Sequence, residues 1–265
     1  VVRQGLEVEG GEGHNIMRRW LMSEYSSSSG GAKSLEVTVA RGGRGNTRLS
    51  ATKFMLDLYG ERDNSGLLME NDDRGAAYAW RTFFTVIAND PSKAGNVGDV
   101  ITLDFTPLDP LGDRFRPFTR KWDFDTNNVI DGNEPASDRL SRSYNDQVYL
   151  RLADTYLLLS EAYHLNGDDL SAAQYINDLR TRANAPLITA SDISLDFILD
   201  ERARELFSEE QRRYTLLRTK KWIERTNLHN VNASGKITER DKLYPIPQEF
   251  IDSNLDNPIQ NNPGY

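Results

Sequence analysis

The stretch that decides the fold runs from residue 144 to residue 186 and reads YNDQVYLRLADTYLLLSEAYHLNGDDLSAAQYINDLRTRANAP. Apolar residues recur in it at the spacing of an amphipathic helix, first at Val148, Leu152, Tyr156, Leu159 and Tyr163, then at Leu170, Ala173, Ile176 and Leu179. Gly167 tolerates the positive φ that closes a helix, and Pro186 lacks the amide hydrogen that would extend one. Two amphipathic helices joined by a short polar turn form an antiparallel hairpin.

This hairpin is close to a single tetratricopeptide unit, which places large and small apolar residues at fixed positions. Small residues such as Ser160 and Ala172 allow the two helices to approach closely. One such unit does not bury its own apolar face, and at least three stacked neighbours are usually needed. No second copy occurs in the 265 residues. An unlike partner or helical repeats upstream of this sequence are therefore expected to cover the exposed face, and we favour the second.

The composition is that of an ordinary globular protein, with 38% hydrophobic and 27% charged residues. Lys and Arg number 32 against 40 Asp and Glu, which gives a net charge of −8 and argues against a nucleic-acid partner. No apolar run is long enough to span a bilayer. The absence of cysteine excludes disulfides, thiol catalysis and thiolate zinc sites within the sequence.

The chain divides by character into a loop-rich region, residues 1–143, and a helical region, residues 144–265. In the first region the alternating segment at 35–40 predicts a strand, and Ser50 or Thr52 is placed to begin a helix through Leu58. The aromatic segment at 78–87 predicts a second strand. Residues 89–143 are punctuated by proline and glycine, which is typical of functional loops. We therefore expect a mainly α protein with long irregular loops and a few short strands.

A further helix is predicted after the hairpin, beginning at Ser191 or Ser194 and continuing to about Trp222. Glu201 and Glu205 share one of its faces and are candidates for a catalytic carboxylate pair. Arginines are interleaved with the glutamates of this helix, however, at Arg202 and Arg204 and, four residues after Glu209, at Arg213. Such patterns form ion pairs on a solvated or structural face. The pattern favours this non-catalytic interpretation.

The order of motifs along the chain carries a resemblance to a known family. After the hairpin come ERARELFSEEQRRYTLLR at 201–218, YPIPQEFIDSN at 244–254 and NPIQNNPGY at 257–265. This order resembles the C-terminal half of SusD/RagB-type nutrient-binding lipoproteins of Bacteroidetes outer membranes. The chain departs from the family pattern at Glu210, where the family favours glycine, and at Thr215, where it favours aspartate. Looser landmarks precede the hairpin: GGRGNTRLSAT at 42–52, LDLYGERD at 56–63, the pair Asp73 and Arg74, and the pair Lys121 and Trp122.

The resemblance implies a SusD-like fold and a role in polysaccharide utilisation without catalysis. Such proteins are lipid-anchored on the outer face of the outer membrane, capture an oligosaccharide or polysaccharide, and act as a lid on a SusC-like TonB-dependent transporter. The family's lipid anchor and N-terminal tetratricopeptide helices are expected to lie outside this segment, so membrane contact is expected only through that anchor. Some relatives take up peptides, which leaves the nature of the nutrient open. A tetratricopeptide-type adaptor and a carboxylate-based glycoside hydrolase remain the alternatives.

Carbohydrate sites combine aromatic rings with planar polar groups, and these residue types identify candidates. Tyr78 and Trp80 would share one face of a strand and form a platform, with Arg81 next to them in the chain. The alternative, that Trp80 lies in the core, stays open. Tyr59, at a helix end, is a second candidate platform or else a hydrophobic cap.

One acidic loop has the spacing of a calcium-binding loop. Its oxygen-bearing positions would be Asp123, Asp125, Asn127, Val129, Asp131 and Glu134. Asn128 replaces the usual turn glycine, although asparagine tolerates the left-handed conformation better than most residues. The alternative is a solvated acidic loop without metal. Calcium is thus a possible ligand, and no other cofactor is expected.

Overall fold

The computed structural model describes residues 2–3, 20–25, 35–38, 41–43, 45–63, 67–88, 90, 96–103, 105, 115–122 and 147–265. The chain forms two compact units, residues 1–210 and residues 211–265. The fold is mainly helical with a few short strands, as expected from the sequence. The division into a loop-rich region, residues 1–143, and a helical region, residues 144–265, stays a prediction.

The described helices lie mostly in the C-terminal half of the sequence. In the first unit they are α1 (Lys53–Asp57), α2 (Leu152–Leu165), α3 (Asp169–Arg182) and α4 (Leu195–Leu206), with a 3₁₀ turn at Ala190–Asp192. In the second unit they are α5 (Arg212–Arg218), α6 (Trp222–His229) and α7 (Gln248–Asp252), with a 3₁₀ turn at Glu239–Lys242. None of these helices has both the length and the apolar character that crossing a bilayer requires, within the described ranges.

The described strands form three antiparallel pairs of two to three residues. They are β1 (Val2–Arg3) with β6 (Gln147–Val148), β2 (Trp80–Arg81) with β5 (Phe118–Thr119), and β3 (Phe83–Thr85) with β4 (Val100–Thr102). The predicted strand at 78–87 is thus present as β2 and β3. The one predicted at 35–40 is not formed in its described part, residues 35–38, where Leu35 and Val37 instead pack into an apolar core with Phe84.

The hairpin predicted at 144–186 is formed by α2 and α3. Gly167 adopts φ +82° in the turn, and the Asp168 carboxylate accepts a hydrogen bond from the Ser171 amide, 3.0 Å, to cap α3. The Ser160 hydroxyl donates to the Ala172 carbonyl across the helix crossing, 3.0 Å, which confirms the close approach expected at small residues.

One apolar face of the hairpin is covered by α4. Leu157, Ile176 and Ile198, one from each of the three helices, are completely buried in a shared core. The outer leucines of the hairpin, such as Leu165 and Leu170, stay exposed. The hairpin therefore shares its core with α4 in place of a second tetratricopeptide unit.

The prediction of one continuous helix from Ser194 to Trp222 is wrong. Ser194 does cap α4, since its hydroxyl accepts from the Phe197 amide at 3.1 Å, but the helix ends at Leu206. Ser208 adopts φ +64°, and the Phe207 ring leaves the helix path to pack 4.9 Å from the ring of Trp80. This contact joins residues far apart in sequence, so helical periodicity gives no sign of it.

Candidate functional site

The first unit contains an open cleft of about 870 Å³, which we call the α3 cleft. It lies between the turns at 67–77 and the C-terminal end of α3 with the segment that follows it. The described residues that line it are Leu67, Leu68, Glu70, Asn71, Asp72, Asp73, Ala76, Ala77, Thr181, Asn184, Ala185 and Leu187. Its lining therefore combines apolar side chains with carboxylate, amide and hydroxyl groups.

Backbone and side-chain hydrogen bonds join the two walls of the cleft. The Asp73 amide donates to the Ala183 carbonyl at 2.8 Å, and the Asn184 side-chain amide donates to the Asp73 carboxylate at 2.6 Å. Asn184 has φ +51°, and the Ala185 amide turns back to the Arg180 carbonyl at 2.9 Å. This is the left-handed helix ending that asparagine tolerates, and it aims the Asn184 side chain at the opposite wall.

The wall at 72–77 rests on the core through Tyr59. Gly75 lies so close that a Cβ atom there would be 2.5 Å from the Cβ of Tyr59, so only glycine fits. Tyr59 is 3% exposed, and its hydroxyl donates to the Arg204 carbonyl at 2.8 Å. Burial raises the pKa of Tyr59 well above its ordinary value. As placed, Tyr59 supports the cleft wall from behind and offers no ring face to a ligand.

Trp80 is also a core residue. It is 2% exposed and packs against the rings of Tyr59, 6.1 Å, and Phe207, 4.9 Å, whereas Tyr78 is 61% exposed. The expectation that Tyr78 and Trp80 share one face is therefore wrong. Residues 73–79 form successive turns and β2 begins only at Trp80, so strand alternation does not extend to Tyr78. Arg81 is half-buried, with its guanidinium 5.7 Å from the centre of the Phe84 ring.

Of the four predicted sugar-binding residues, only Tyr78 is largely exposed, and it follows Ala77, a residue that lines the α3 cleft. Its hydroxyl hydrogen-bonds the Asp73 carboxylate, which lines the cleft. Partial burial and this bond to a charged acceptor raise the pKa of Tyr78 to about 12. Tyr78 is therefore a neutral phenol at physiological pH. That these four residues bind sugar stays a prediction, and the geometry centres it on Tyr78.

Arg74 connects the cleft wall to α4. Its guanidinium binds the Asp72 carboxylate at 2.8 and 2.9 Å, and its Nη1 donates to Glu201 at 2.8 Å and to Glu205 at 3.1 Å. The side chains of both glutamates are at most 1% exposed. A planar guanidinium satisfies several carboxylates at once, so Arg74 fixes the wall against the helix.

Further arginines surround the same two glutamates, and we call this group the α4 ionic cluster. Its members are Asp72, Arg74, Arg151, Arg180, Arg182, Glu201, Arg204 and Glu205. Burial raises the pKa of Glu201, but attraction to Arg74, Arg204 and Arg180 outweighs it and the pKa is lowered. The pKa of Glu205 is lowered in the same way, against its burial, by Arg151 and Arg182.

The expectation of local ion pairs at four-residue offsets is wrong for these glutamates, and of the two kinds of face expected, solvated or structural, theirs is structural. Glu201 pairs with Arg204 three residues on, but the other partners come from α3, from its C-terminal end, from Arg151 and from Arg74. One sequence signal was available, since Ile198, Glu201 and Glu205 follow the three-and-four spacing of the buried stripe. Sequence reasoning missed Asn184 and the part of Asp73 in the cleft, although Asp73 was one of the family landmarks.

The six residues of the calcium-like loop, Asp123 to Glu134, lie outside the described residues, so calcium binding stays a prediction. Within the described ranges, no group of three or more histidine, aspartate or glutamate side chains is arranged to hold a metal ion.

Comparison with known proteins places the chain in a family. The family model described as the SusD family matches residues 124–265, more than half of the chain. No curated protein sequence matches this chain. Among solved structures, the chain is similar to surface glycan-binding protein A from Bacteroides thetaiotaomicron (TM-score 0.60, 21% identity, 95% of this chain and 47% of that chain). It is also similar to surface glycan-binding protein A from Bacteroides fluxus (TM-score 0.56, 20% identity, 96% of this chain and 46% of that chain). A third similar structure is a SusD superfamily protein from Bacteroides fragilis (TM-score 0.54, 19% identity, 100% of this chain and 51% of that chain).

The chain thus spans about half the length of these three structures, and at such identities the likeness concerns the fold. The family match covers α2 to α7, which includes the hairpin, both glutamates of the α4 ionic cluster and the terminal NPIQNNPGY segment. These are the motifs on which the resemblance in the sequence was based. The chain belongs to the SusD family.

Proposed function

We propose that this protein captures an oligosaccharide or polysaccharide in the α3 cleft and delivers it, unmodified, to a SusC-like TonB-dependent transporter. The observation that carries the proposal is the exposed ring of Tyr78, which follows Ala77 and hydrogen-bonds Asp73, two residues of a cleft lined by planar polar groups. Aromatic rings stack on the apolar C–H faces of sugars, and amides and carboxylates bind their hydroxyls.

The dimensions and the lining of the cleft suit such a ligand. A volume of about 870 Å³ lies within the range of small-molecule sites, roughly 300–1,000 Å³, and leaves room for more than one sugar ring. The side chains of Asn71, Asn184 and Thr181 provide neutral donors and acceptors along its length. The cleft is open, which allows an internal segment of a longer chain to enter from the side.

The family and the relatives supply the cellular setting of the proposal. Two structures of similar fold are named as surface glycan-binding proteins, and this chain belongs to the SusD family. We accordingly assign this protein to the outer face of the outer membrane, held by a lipid anchor outside this segment, with no nucleic-acid partner. The transporter and the anchor belong to the proposal, since the chain spans about half of these relatives.

Catalysis by paired carboxylates is disfavoured by the surroundings of Glu201 and Glu205. Both are buried, neither lines the α3 cleft, and each is held by three or more arginine contacts. Their lowered pKa values keep them ionised, whereas a general acid in glycoside hydrolysis needs a raised pKa. We therefore expect binding without turnover.

An adaptor function is disfavoured by the packing of the hairpin. A tetratricopeptide array offers its partner a groove formed by successive units. Here α4 supplies Ile198 and Leu206 to the core between α2 and α3, so that face of the hairpin is occupied by the protein itself.

The test is affinity electrophoresis of the full-length protein through gels that contain starch, mixed-linkage β-glucan, xylan, mannan, chitosan or polygalacturonate. We expect at least one of these to retard the protein and none to release reducing ends. Tyr78→Ala should weaken that binding by about 1–3 kcal/mol, because the stacking ring is lost. Tyr78→Phe keeps the ring and should retain most of the affinity.

Tyr214→Ala is the matched control, since Tyr214 is 64% exposed and lies on α5 in the second unit. It should bind like the parent protein. If Tyr78→Ala and Tyr214→Ala change the affinity for the polysaccharide equally, the α3 cleft is not the binding site. Failure of every polysaccharide, together with retention of a peptide library, would replace the glycan with a peptide ligand.

A further inference from the structure

The charged side chains in the described lining of the α3 cleft have one sign. Among the described residues that line it, Glu70, Asp72 and Asp73 are acidic, and none is lysine, arginine or histidine. Asp72 is neutralised by Arg74, which binds both of its carboxylate oxygens, and the two side chains are 6% and 8% exposed. Glu70 and Asp73 therefore supply the charge that a ligand in the cleft meets.

Asp73 is held in place by groups that leave its charge uncancelled. The Asn184 amide donates to its carboxylate at 2.6 Å, and the Tyr78 hydroxyl also donates to it. Both donors are neutral, so they fix the orientation of the carboxylate and do not neutralise it. The raised pKa of Tyr78 has the same origin in part, because a nearby negative charge opposes loss of the phenolic proton.

The arginines closest in sequence to the cleft walls are engaged elsewhere. Arg74 binds Asp72, Glu201 and Glu205, and Arg182, next to Thr181, binds Glu205. The Arg62 guanidinium donates to the Gly75 carbonyl at 2.7 Å. A uronate or sulfate group on a ligand would therefore face Asp73 and Glu70 without a described cation among the lining residues to pair with.

We infer that the α3 cleft accepts neutral or amino-bearing glycans and disfavours glycans that carry uronate or sulfate groups, with Asp73 as the residue that sets this preference. The inference rests on the proposed function and adds the chemical class of its ligand. Like charges a few ångströms apart repel, and the repulsion weakens as added salt screens it.

The experiment uses the full-length protein and a polysaccharide series in three charge classes. Starch, mixed-linkage β-glucan, xylan and mannan are neutral, chitosan carries amines, and polygalacturonate and chondroitin sulfate are acidic. We expect retardation by one or more neutral or amino-bearing members, and affinity at least about tenfold weaker for both acidic ones. The polysaccharide that binds best is then partly oxidised at C6, so that the same backbone carries carboxylates.

Oxidation should weaken binding by about tenfold at an ionic strength of about 0.01 M and by less at about 0.15 M. Asp73→Asn keeps the size of the side chain and an oxygen that accepts from Asn184, and it should recover much of the affinity for the oxidised form. Asp252→Asn removes an exposed carboxylate from α7 in the second unit and should leave the ratio of the two affinities unchanged.

The possible failures are distinct. If acidic polysaccharides bind at least as tightly as the neutral and amino-bearing ones, or if Asp73→Asn leaves the ratio unchanged, the charge preference is overturned and glycan capture stands. If no polysaccharide of any class binds, the proposed function itself fails.

Discussion

The first unit uses carboxylates in two opposite ways, in two regions that Arg74 connects. In the α4 ionic cluster, Glu201 and Glu205 are buried and surrounded by arginines. In the α3 cleft, the Asp73 carboxylate accepts hydrogen bonds from the Asn184 amide and the Tyr78 hydroxyl, and its bond to Asn184 is exposed to solvent. Arg74 joins the two regions, since it binds Asp72 in the cleft wall and both glutamates on α4.

The difference lies in what balances each negative charge. A carboxylate that is removed from water needs cations and hydrogen bonds within the protein, because its desolvation costs several kcal/mol or more. A carboxylate held only by neutral donors keeps its charge available to solvent and to a ligand. The residue type does not distinguish a buried, paired carboxylate from one that is available to a ligand. The hydrogen-bonding and ionic partners of the carboxylate do.

Glu201→Gln should have the largest effect on stability. The substitution removes the charge that Arg74, Arg180 and Arg204 share, and leaves three guanidiniums close together in a buried place. Breaking a buried ion pair from one side costs about 3–5 kcal/mol, so the free energy of unfolding should fall by that amount in denaturant titrations. Asp57→Asn is the control, because its pair with Lys53 is exposed, and it should cost less than about 1 kcal/mol. Equal costs for both variants would contradict the distinction.

Trp80→Ala should destabilise the protein by a similar amount. Trp80 is a fully buried ring in contact with Tyr59 and Phe207, behind the cleft wall, and truncation of a buried tryptophan costs about 3–5 kcal/mol. Tyr78→Ala, two residues away and exposed, should change the free energy of unfolding by less than about 0.5 kcal/mol. An unchanged melting temperature in Trp80→Ala would contradict the burial of Trp80 and support its predicted place in an exposed sugar platform.

The sequence predicted the parts of the molecule that depend on local periodicity. The hairpin of α2 and α3, the Gly167 turn and the cap at Ser194 all follow from residues that are close in the chain. The α4 ionic cluster joins Arg74 to Glu205, 131 positions apart, and no local pattern reports that contact. The end of α4 likewise depends on the contact of Phe207 with Trp80. In the cleft, the aromatic residue type was predicted, and the turn that separates Tyr78 from Trp80 was not.

Acid should destabilise the protein through the α4 ionic cluster. Burial opposes ionisation of Glu201 and Glu205, yet their arginines hold both pKa values below the ordinary value near 4.3. A carboxylate with a lowered folded pKa stabilises the protein above the unfolded pKa, and this stabilisation is lost as the pH falls through the folded pKa. Asp90 behaves alike, since hydrogen bonds from Arg41 and from the backbone lower its pKa to about 2 against the effect of burial.

We therefore expect the free energy of unfolding to be nearly constant from about pH 7 to about pH 5 and to fall steadily below about pH 4. Denaturant titrations at successive pH values measure this dependence. Because Glu201→Gln has already lost one of these carboxylates, its loss of stability between about pH 5 and about pH 3 should be smaller than that of the parent protein. An acid slope that is the same in both proteins would mean that Glu201 is not held ionised by its arginines.

The calcium-like loop would be a third way to balance carboxylates, by a bound cation. If Asp123, Asp125, Asp131 and Glu134 bind calcium as their spacing predicts, millimolar calcium should stabilise the folded state. At a hundredfold excess over the dissociation constant the gain is about 2.7 kcal/mol, which is a rise of several degrees in melting temperature. Glu134→Gln should abolish the rise, and magnesium should not replace calcium. A melting temperature that is the same in calcium and in excess chelator would exclude the site.

Asp73→Asn should have the smallest effect on stability, and it tests the comparison most directly. Asparagine keeps an oxygen for the Asn184 amide, and no contact with a described arginine or lysine is lost, so the free energy of unfolding should change by less than about 0.5 kcal/mol. The variant also removes a charge beside the Tyr78 hydroxyl, so the pKa of Tyr78 should fall from about 12 toward 10, as followed by NMR with labelled tyrosine. A loss of stability as large as that of Glu201→Gln would mean that the Asp73 carboxylate belongs to the framework of the protein. In that case its charge would not be available to a ligand, and the two regions would use carboxylates in the same way.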